Sequence, residues 1–227
     1  MAEVLSTLKV TAYHPMGWSW QYFKRQVESR LQQAPESLDL QLSCPILMVH
    51  GISHNSTAFY RLQKKASERG FRHISTIEMW TTLRSLSDMS KELEEKTYSL
   101  FQAHQKKHPL GKVRIVAHSL GGMILRAALT RPNIQQWIDR VVFLGVPHQG
   151  NVFYRLPILK SLKDLHPNSA LMKQIKSQPL PGGIEYWNLR GQIDIVTPKN
   201  DTYLPTTPNL FFENVGHAGL LADQRVI

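Results

Sequence analysis

The sequence predicts an α/β fold, a mostly parallel central sheet flanked by helices on both faces. Three observations carry this. From Pro45 onward, short runs that are apolar at every position alternate with longer segments of helical period. Strands apolar throughout are buried on both faces, which is the condition of parallel strands covered by crossover helices. The 227 residues, 42% hydrophobic and 19% charged, suffice for one large core.

The elements follow in order. Residues 1–44 precede the sheet. There Trp20, Phe23, Val27 and Leu31 recur at helical spacing between Pro15–Gly17 and Pro35, predicting an extra helix and linker before a catalytic domain spanning 45–227. Ile46–His50 reads as a buried strand and Ala58–Arg69 as a helix. Ile74–Met79 is a second strand, Leu86–His108 a long charged helix, and Val113–Ala117 a third strand running at once into helix 120–130. Val141–Leu144, Tyr186–Arg190 and Leu210–Glu213 complete the strands. Between 150 and 183, Pro157, Pro167, Pro179, Pro181 and Gly182–Gly183 break the rhythm and leave room for short helices around 158–164 and 169–176. An excursion at the carboxyl end of a strand reads as a cover over the site.

Composition excludes disorder, collagen and coiled coil, and no stretch approaches the ~18 apolar residues of a membrane helix. Met1–Val10 lacks the basic start of a secretory signal. The lone Cys44 forbids an internal disulfide and suits a reducing compartment, so the expected location is cytoplasmic or peripheral to a membrane. The net charge of +10 lies wholly in 45–227, because Lys9, Lys24, Arg25 and Arg30 cancel against Glu3, Glu28, Glu36 and Asp39. Such charge favours acidic surfaces. Without a zinc-finger, basic-zipper or RNA-binding motif, no nucleic-acid partner is expected. Peripheral contact with anionic membrane is, because Trp18, Trp20, Tyr22 and Phe23 sit beside Lys24 and Arg25. The competing reading docks this helix onto the sheet domain.

The chemistry begins at Val113–Gly122, where a strand turns into a helix at Ser119. Small residues stand two before (Ala117) and two after (Gly121), with Gly122 for close packing. This is a nucleophile elbow in its Ala-x-Ser-x-Gly form, which lifts a hydroxyl out of the sheet onto a helix amino terminus. A base and an orienting carboxylate must follow. Asp194, just past a strand end, and His217, on the loop after the last strand, give the order Ser, Asp, His. Asp201 rivals Asp194, which is preferred because apolar Ile195–Val196 would hold its loop rigid. His50, His118 and His148 are read as holding loops by hydrogen bonds. For the tetrahedral oxyanion, the donors expected are the backbone N–H groups of Leu120, after the nucleophile, and Ile52, after the first strand. Ile52, Phe59, Trp80 and Phe153 lie at the same sheet end and are candidates for a pocket favouring medium or long acyl chains.

Together, His50–Ile52, Ala117–Gly122, Val141–Gly145 and Val215–Leu221 resemble α/β-hydrolase lipases, notably the compact Bacillus type, over about residues 45–225. The resemblance implies a minimal α/β-hydrolase acting on lipid-like or small carboxylic esters without a cofactor. Ser119, Asp194 and His217 would form its triad, and Ile52 and Leu120 its oxyanion amides. Pro147–Gly150 and His166–Met172 instead resemble larger lipases and membrane-associated lipid deacylases, and residues 1–44 have no counterpart in the compact enzymes. Nothing resembles the paired aspartates of a lipase calcium site, so no metal is expected. Besides an ester hydrolase, the same triad fits an acyltransferase or a phospholipid or glycolipid deacylase. A hydrolase-fold binding module would show a broken triad.

Overall fold

The computed structural model describes residues 40–79, 81, 84–108, 111–150 and 160–226. The expected helix within 1–44, together with Trp80 and Phe153, lies outside them apart from a short turn of helix, α1 (Leu40–Ser43).

Six strands form one sheet: β1 (Ile46–Val49), β2 (Ile74–Ile77), β3 (Val113–His118), β4 (Ile138–Leu144), β5 (Glu185–Gly191) and β6 (Asn209–Phe212). They lie in the order β2-β1-β3-β4-β5-β6, and every neighbouring pair is parallel. All carboxyl ends therefore emerge at one edge, where the connecting loops gather.

Side chains alternate across the sheet. Leu47, Val49, Val113, Ile115, Ala117, Val141 and Phe143 point into one core layer, and Ile46, Met48 and Leu144 into the other. The first layer is completed by α3 (Leu86–Gln105), which packs on α4 (Leu120–Leu129), and by Leu162 of α6 (Lys160–Lys163) with Met172 and Ile175 of α7 (Ala170–Ser177). A four-residue α5 (Pro132–Gln135) links α4 to β4. The opposite layer holds the 3₁₀ turn Ser56–Phe59 leading into α2 (Tyr60–Glu68), and the closing 3₁₀ turn Ala218–Leu221. One more short helix, α8 (Lys199–Thr202), sits between β5 and β6.

Local chemistry sets the helix starts. Asn55 caps the Ser56–Phe59 turn by accepting from Thr57 N–H, and Ser85 caps α3 by accepting from Asp88 N–H. Ser169 does the same for α7 through Met172 N–H. With Leu162, Leu165, Met172 and Ile175 buried in the core, the stretch from 160 to 177 is a packed part of the helical layer.

Candidate active site

β3 delivers Ser119 into a turn with φ 53° and ψ −125°. Residues bearing a Cβ rarely occupy such backbone, at a cost of about 1–3 kcal/mol. The surroundings hold it there. Ser119 N–H donates to Leu144 O (2.9 Å), and its own carbonyl accepts from Gly122 N–H (3.0 Å). A Cβ at position 121 would run into the carbonyls of Val49 and His50, and one at 122 into the Val146 side chain. The two glycines let the first turn of α4 press against the end of β1 and the loop after β4, which pins the elbow.

The two loops after β5 and β6 bring the other candidates together. They are tied by Gln192 N–H to Phe212 O (3.0 Å) and Ile193 N–H to Val215 O (3.1 Å). His217 Nδ1 then lies 2.8 Å from Asp194 Oδ2, both residues buried. A carboxylate only accepts, so Nδ1 carries the proton and Nε2 is left as the basic nitrogen. Asp194 is itself held from three sides. Oδ1 accepts from the N–H groups of Val196 (3.0 Å) and Thr197 (2.7 Å), while Oδ2 also accepts from Thr197 Oγ1 (2.7 Å). That hydroxyl stands 3.1 Å from both His217 Nδ1 and Gly145 O. Gly145, with φ +56°, leaves the space: a Cβ there would lie 3.2 Å from both Asp194 Oδ2 and His217 Nδ1.

Thr197 is the residue that sequence reading missed. The available signal was its position three after an aspartate in a loop, a spacing at which a carboxylate folds back onto following N–H groups. The reason given for preferring Asp194 also needs correction. Ile195 is 76% exposed and braces nothing; the rigidity comes from Thr197 and the two amides. Asp201 lies elsewhere, in α8, where burial raises its carboxyl pKa.

Three other histidines are locked by hydrogen bonds. His50 Nδ1 donates to Gly51 O (2.9 Å), and its Nε2 accepts from Met79 N–H (3.1 Å), joining the loops after β1 and β2. His148 Nδ1 accepts from Arg126 (3.2 Å), and its Nε2 faces Asn188 Oδ1 at 3.4 Å. His118 Nε2 donates to the His217 carbonyl (3.2 Å), and the two rings lie 4.7 Å apart. Burial, reinforced by the neighbouring imidazole of His217, holds the His118 pKa well below its ordinary value. For His148 burial again leads, with Arg126 adding to it. Neutral His118 thus braces the His217 loop from the position next to Ser119.

Gly51 abuts Ser119: a Cβ at 51 would lie 2.9 Å from Ser119 Cβ and 3.4 Å from its Oγ. Half-buried Ile52 therefore follows directly on the glycine that packs beside Ser119. Leu120 opens α4, where N–H groups lack intrahelical acceptors. Phe59 is a correction. It is fully buried in the core layer with Met48, Leu144 and Leu220, so it serves packing and lines no open pocket. The 3₁₀ turn that starts at Ser56 carries it inward. Among the described residues, no group of three His, Cys, Asp or Glu side chains is placed to hold a metal ion.

A family model described as palmitoyl protein thioesterase matches residues 45–209. A search of curated proteins finds no match. Among solved structures, the mature Bacillus licheniformis lipase BlEst2 is similar at TM-score 0.68 and 20% identity, over 83% of this chain and 89% of that one. A Paleococcus ferrophilus monoacylglycerol lipase matches at TM-score 0.55 and 14% identity, over 77% and 88%. The Legionella pneumophila phospholipase PlaB matches at TM-score 0.56 and 16% identity, over 72% of this chain and 41% of its own length. These likenesses show the α/β-hydrolase fold.

Proposed function

The chain belongs to the palmitoyl protein thioesterase family, and from that premise we propose that it is a serine hydrolase of lipid-like acyl esters and thioesters. The observation that carries the reading is the buried 2.8 Å pairing of His217 with Asp194 at the sheet edge where the strained Ser119 turn emerges. In this reading Ser119 Oγ attacks the acyl carbonyl as His217 Nε2 takes its proton. Asp194, held by Thr197, orients the imidazole and stabilises its charged form. The N–H groups of Leu120 and Ile52 receive the oxyanion. Collapse breaks the bond to the leaving oxygen or sulfur, which departs with the proton from His217. Water, deprotonated by the same nitrogen, then releases the free acid and regenerates Ser119.

Family membership extends the leaving group from alcohol to thiol. A thiol, with a pKa near ~8–9, leaves with less help from an acid than an alcohol does. One site therefore handles both bonds.

The test is fluorophosphonate labelling, with turnover of a matched oxygen ester and thioester of one medium-length acyl chain. The parent should label and cleave both. Ser119→Ala should lose label and turnover, the latter by roughly three to six decades, with its circular dichroism intact. Turnover retained within about tenfold by a folded Ser119→Ala protein refutes the proposal.

A further inference from the structure

The turn that carries Ile52 is strained, and a residue from another loop holds it. His54 N–H reaches back to Gly51 O at 3.4 Å, closing a four-residue turn, Gly51–His54, after β1. Its third residue, Ser53, has φ +54°, left-handed backbone that turns ordinarily give to glycine or asparagine. Ser53 is exposed, so burial does not impose this conformation. A hydrogen bond grips it instead: Ser53 N–H donates to Thr81 Oγ1 (3.1 Å), across 28 residues of chain. Thr81 is itself fixed, being buried with its N–H bonded to Met79 O (3.0 Å). Met79 N–H donates to His50 Nε2 (3.1 Å), and His50 Nδ1 donates to Gly51 O (2.9 Å). The bonds make a circuit between the loops after β1 and β2, and it grips the turn on either side of Ile52.

Peptide planarity turns this circuit into an aiming device. Gly51 C=O and Ile52 N–H belong to one rigid plane, so the bonds that His50 and His54 make to Gly51 O also set the direction of the Ile52 N–H. Ile52 C=O and Ser53 N–H form the next plane, and Thr81 holds that one. Between the two anchored planes Ile52 has no freedom left. Its own N–H makes no hydrogen bond among the described residues, and the turn packs through Gly51 against Ser119. We propose that Thr81 is a positioning residue for the reaction: its hydroxyl locks the strained turn so that the Ile52 N–H is already aimed when negative charge develops on the acyl oxygen. The proposal rests on the oxyanion role given to Ile52 above. Thr81 touches no reacting atom in it and acts through Ser53.

Thr81→Val keeps the branched shape and removes the acceptor. In the full chain, kcat for a soluble short-chain ester should fall by roughly tenfold to a hundredfold, with KM within about twofold of the parent. Outright loss of an oxyanion donor costs more, about 10²–10³. Thr81→Ser returns the hydroxyl and should recover most of kcat. The second readout is inhibition by an alkyl trifluoromethyl ketone. Ser119 Oγ adds to its carbonyl as His217 Nε2 takes the proton, leaving an oxyanion and no leaving group. Its inhibition constant should rise in Thr81→Val by about the factor that kcat falls. A hydroxyl that merely braced the fold would lower Tm and leave kcat and inhibition in place. The proposal is overturned if a folded Thr81→Val keeps kcat within about twofold of the parent, if inhibition does not weaken as kcat falls, or if serine is as poor as valine. Ser119→Ala is measured beside them. Turnover retained there overturns the serine reading itself, whereas an inactive Ser119→Ala beside an unimpaired Thr81→Val overturns only the role of Thr81.

Discussion

Thr197→Val isolates what holds the acid in place. Valine keeps the branched shape and the backbone N–H that bonds Asp194 Oδ1 at 2.7 Å, and it removes only the hydroxyl. Lost with it are the 2.7 Å bond to Asp194 Oδ2 and the 3.1 Å approaches to Gly145 O and His217 Nδ1. A hydrogen bond to a charged group contributes about 1.5–3 kcal/mol. Because the two amides still anchor Oδ1, the lower end applies, which predicts a fall in kcat of roughly tenfold with KM little changed. The same loss should lower Tm by roughly 3–6 °C for a chain of this size. The assay is steady-state turnover of a soluble short-chain ester beside a thermal melt, on Thr197→Val and Thr197→Ser. Serine should restore most of kcat because it returns the hydroxyl. If the valine variant stays within about twofold of the parent, or if serine is as poor as valine, the hydroxyl does not position the acid.

Asp194→Asn should cost oxygen-ester turnover roughly 10⁴-fold, as loss of an orienting carboxylate does in other triads, and cost thioester turnover less. Asp201→Asn, in which a carboxyl whose pKa burial already raises becomes a neutral amide, should leave both rates within about threefold; the reverse ranking in steady-state assays would displace Asp194 as the acid. The fold should lose stability in acid through its buried histidines. His104 titrates at about 4 in the folded chain against an ordinary 6.5, chiefly because burial penalises its charged form. As pH falls the unfolded chain therefore takes up the proton first, and stability present above 6.5 is lost progressively down to about 4. His104→Gln should shrink the drop in urea midpoint between about pH 7 and about pH 5, and an unchanged drop would refute the assignment.

The strands were legible because burial on both faces demands apolar residues at nearly every position, as in Ile46–Val49 and Val113–His118. The start of β4 was not. Asp139 and Arg140 lie before the expected strand, yet Ile138 pairs with Val113 of β3 and Arg140 with Glu185 of β5, so backbone pairing to the neighbouring strands carries β4 back to Ile138. The helices α5 and α8 span four residues each, too few to show any period. The long helix stops at Gln105, three residues short of the expected His108.

At the site, legibility followed steric necessity. The elbow could be read because Gly121 and Gly122 have no room for a side chain, and such constraints sit at set offsets from Ser119. The pairing of Asp194 with His217 could be anticipated from chain order and strand ends. Thr197 depends on how a loop folds back, which no periodicity records. For Phe59, the residues after a strand fit a pocket or a core equally well, and the Asn55-capped turn decides for the core. The thioester reading came from the family match, because under the proposed mechanism ester and thioester would present the same carbonyl to Ser119 and demand the same oxyanion donors. They differ in the acidity of the leaving atom, and so in how heavily the proposed reaction would lean on His217 as an acid. The brace of Asp194, Thr197 and His118 around that one imidazole is therefore where selectivity between the two bonds would be set.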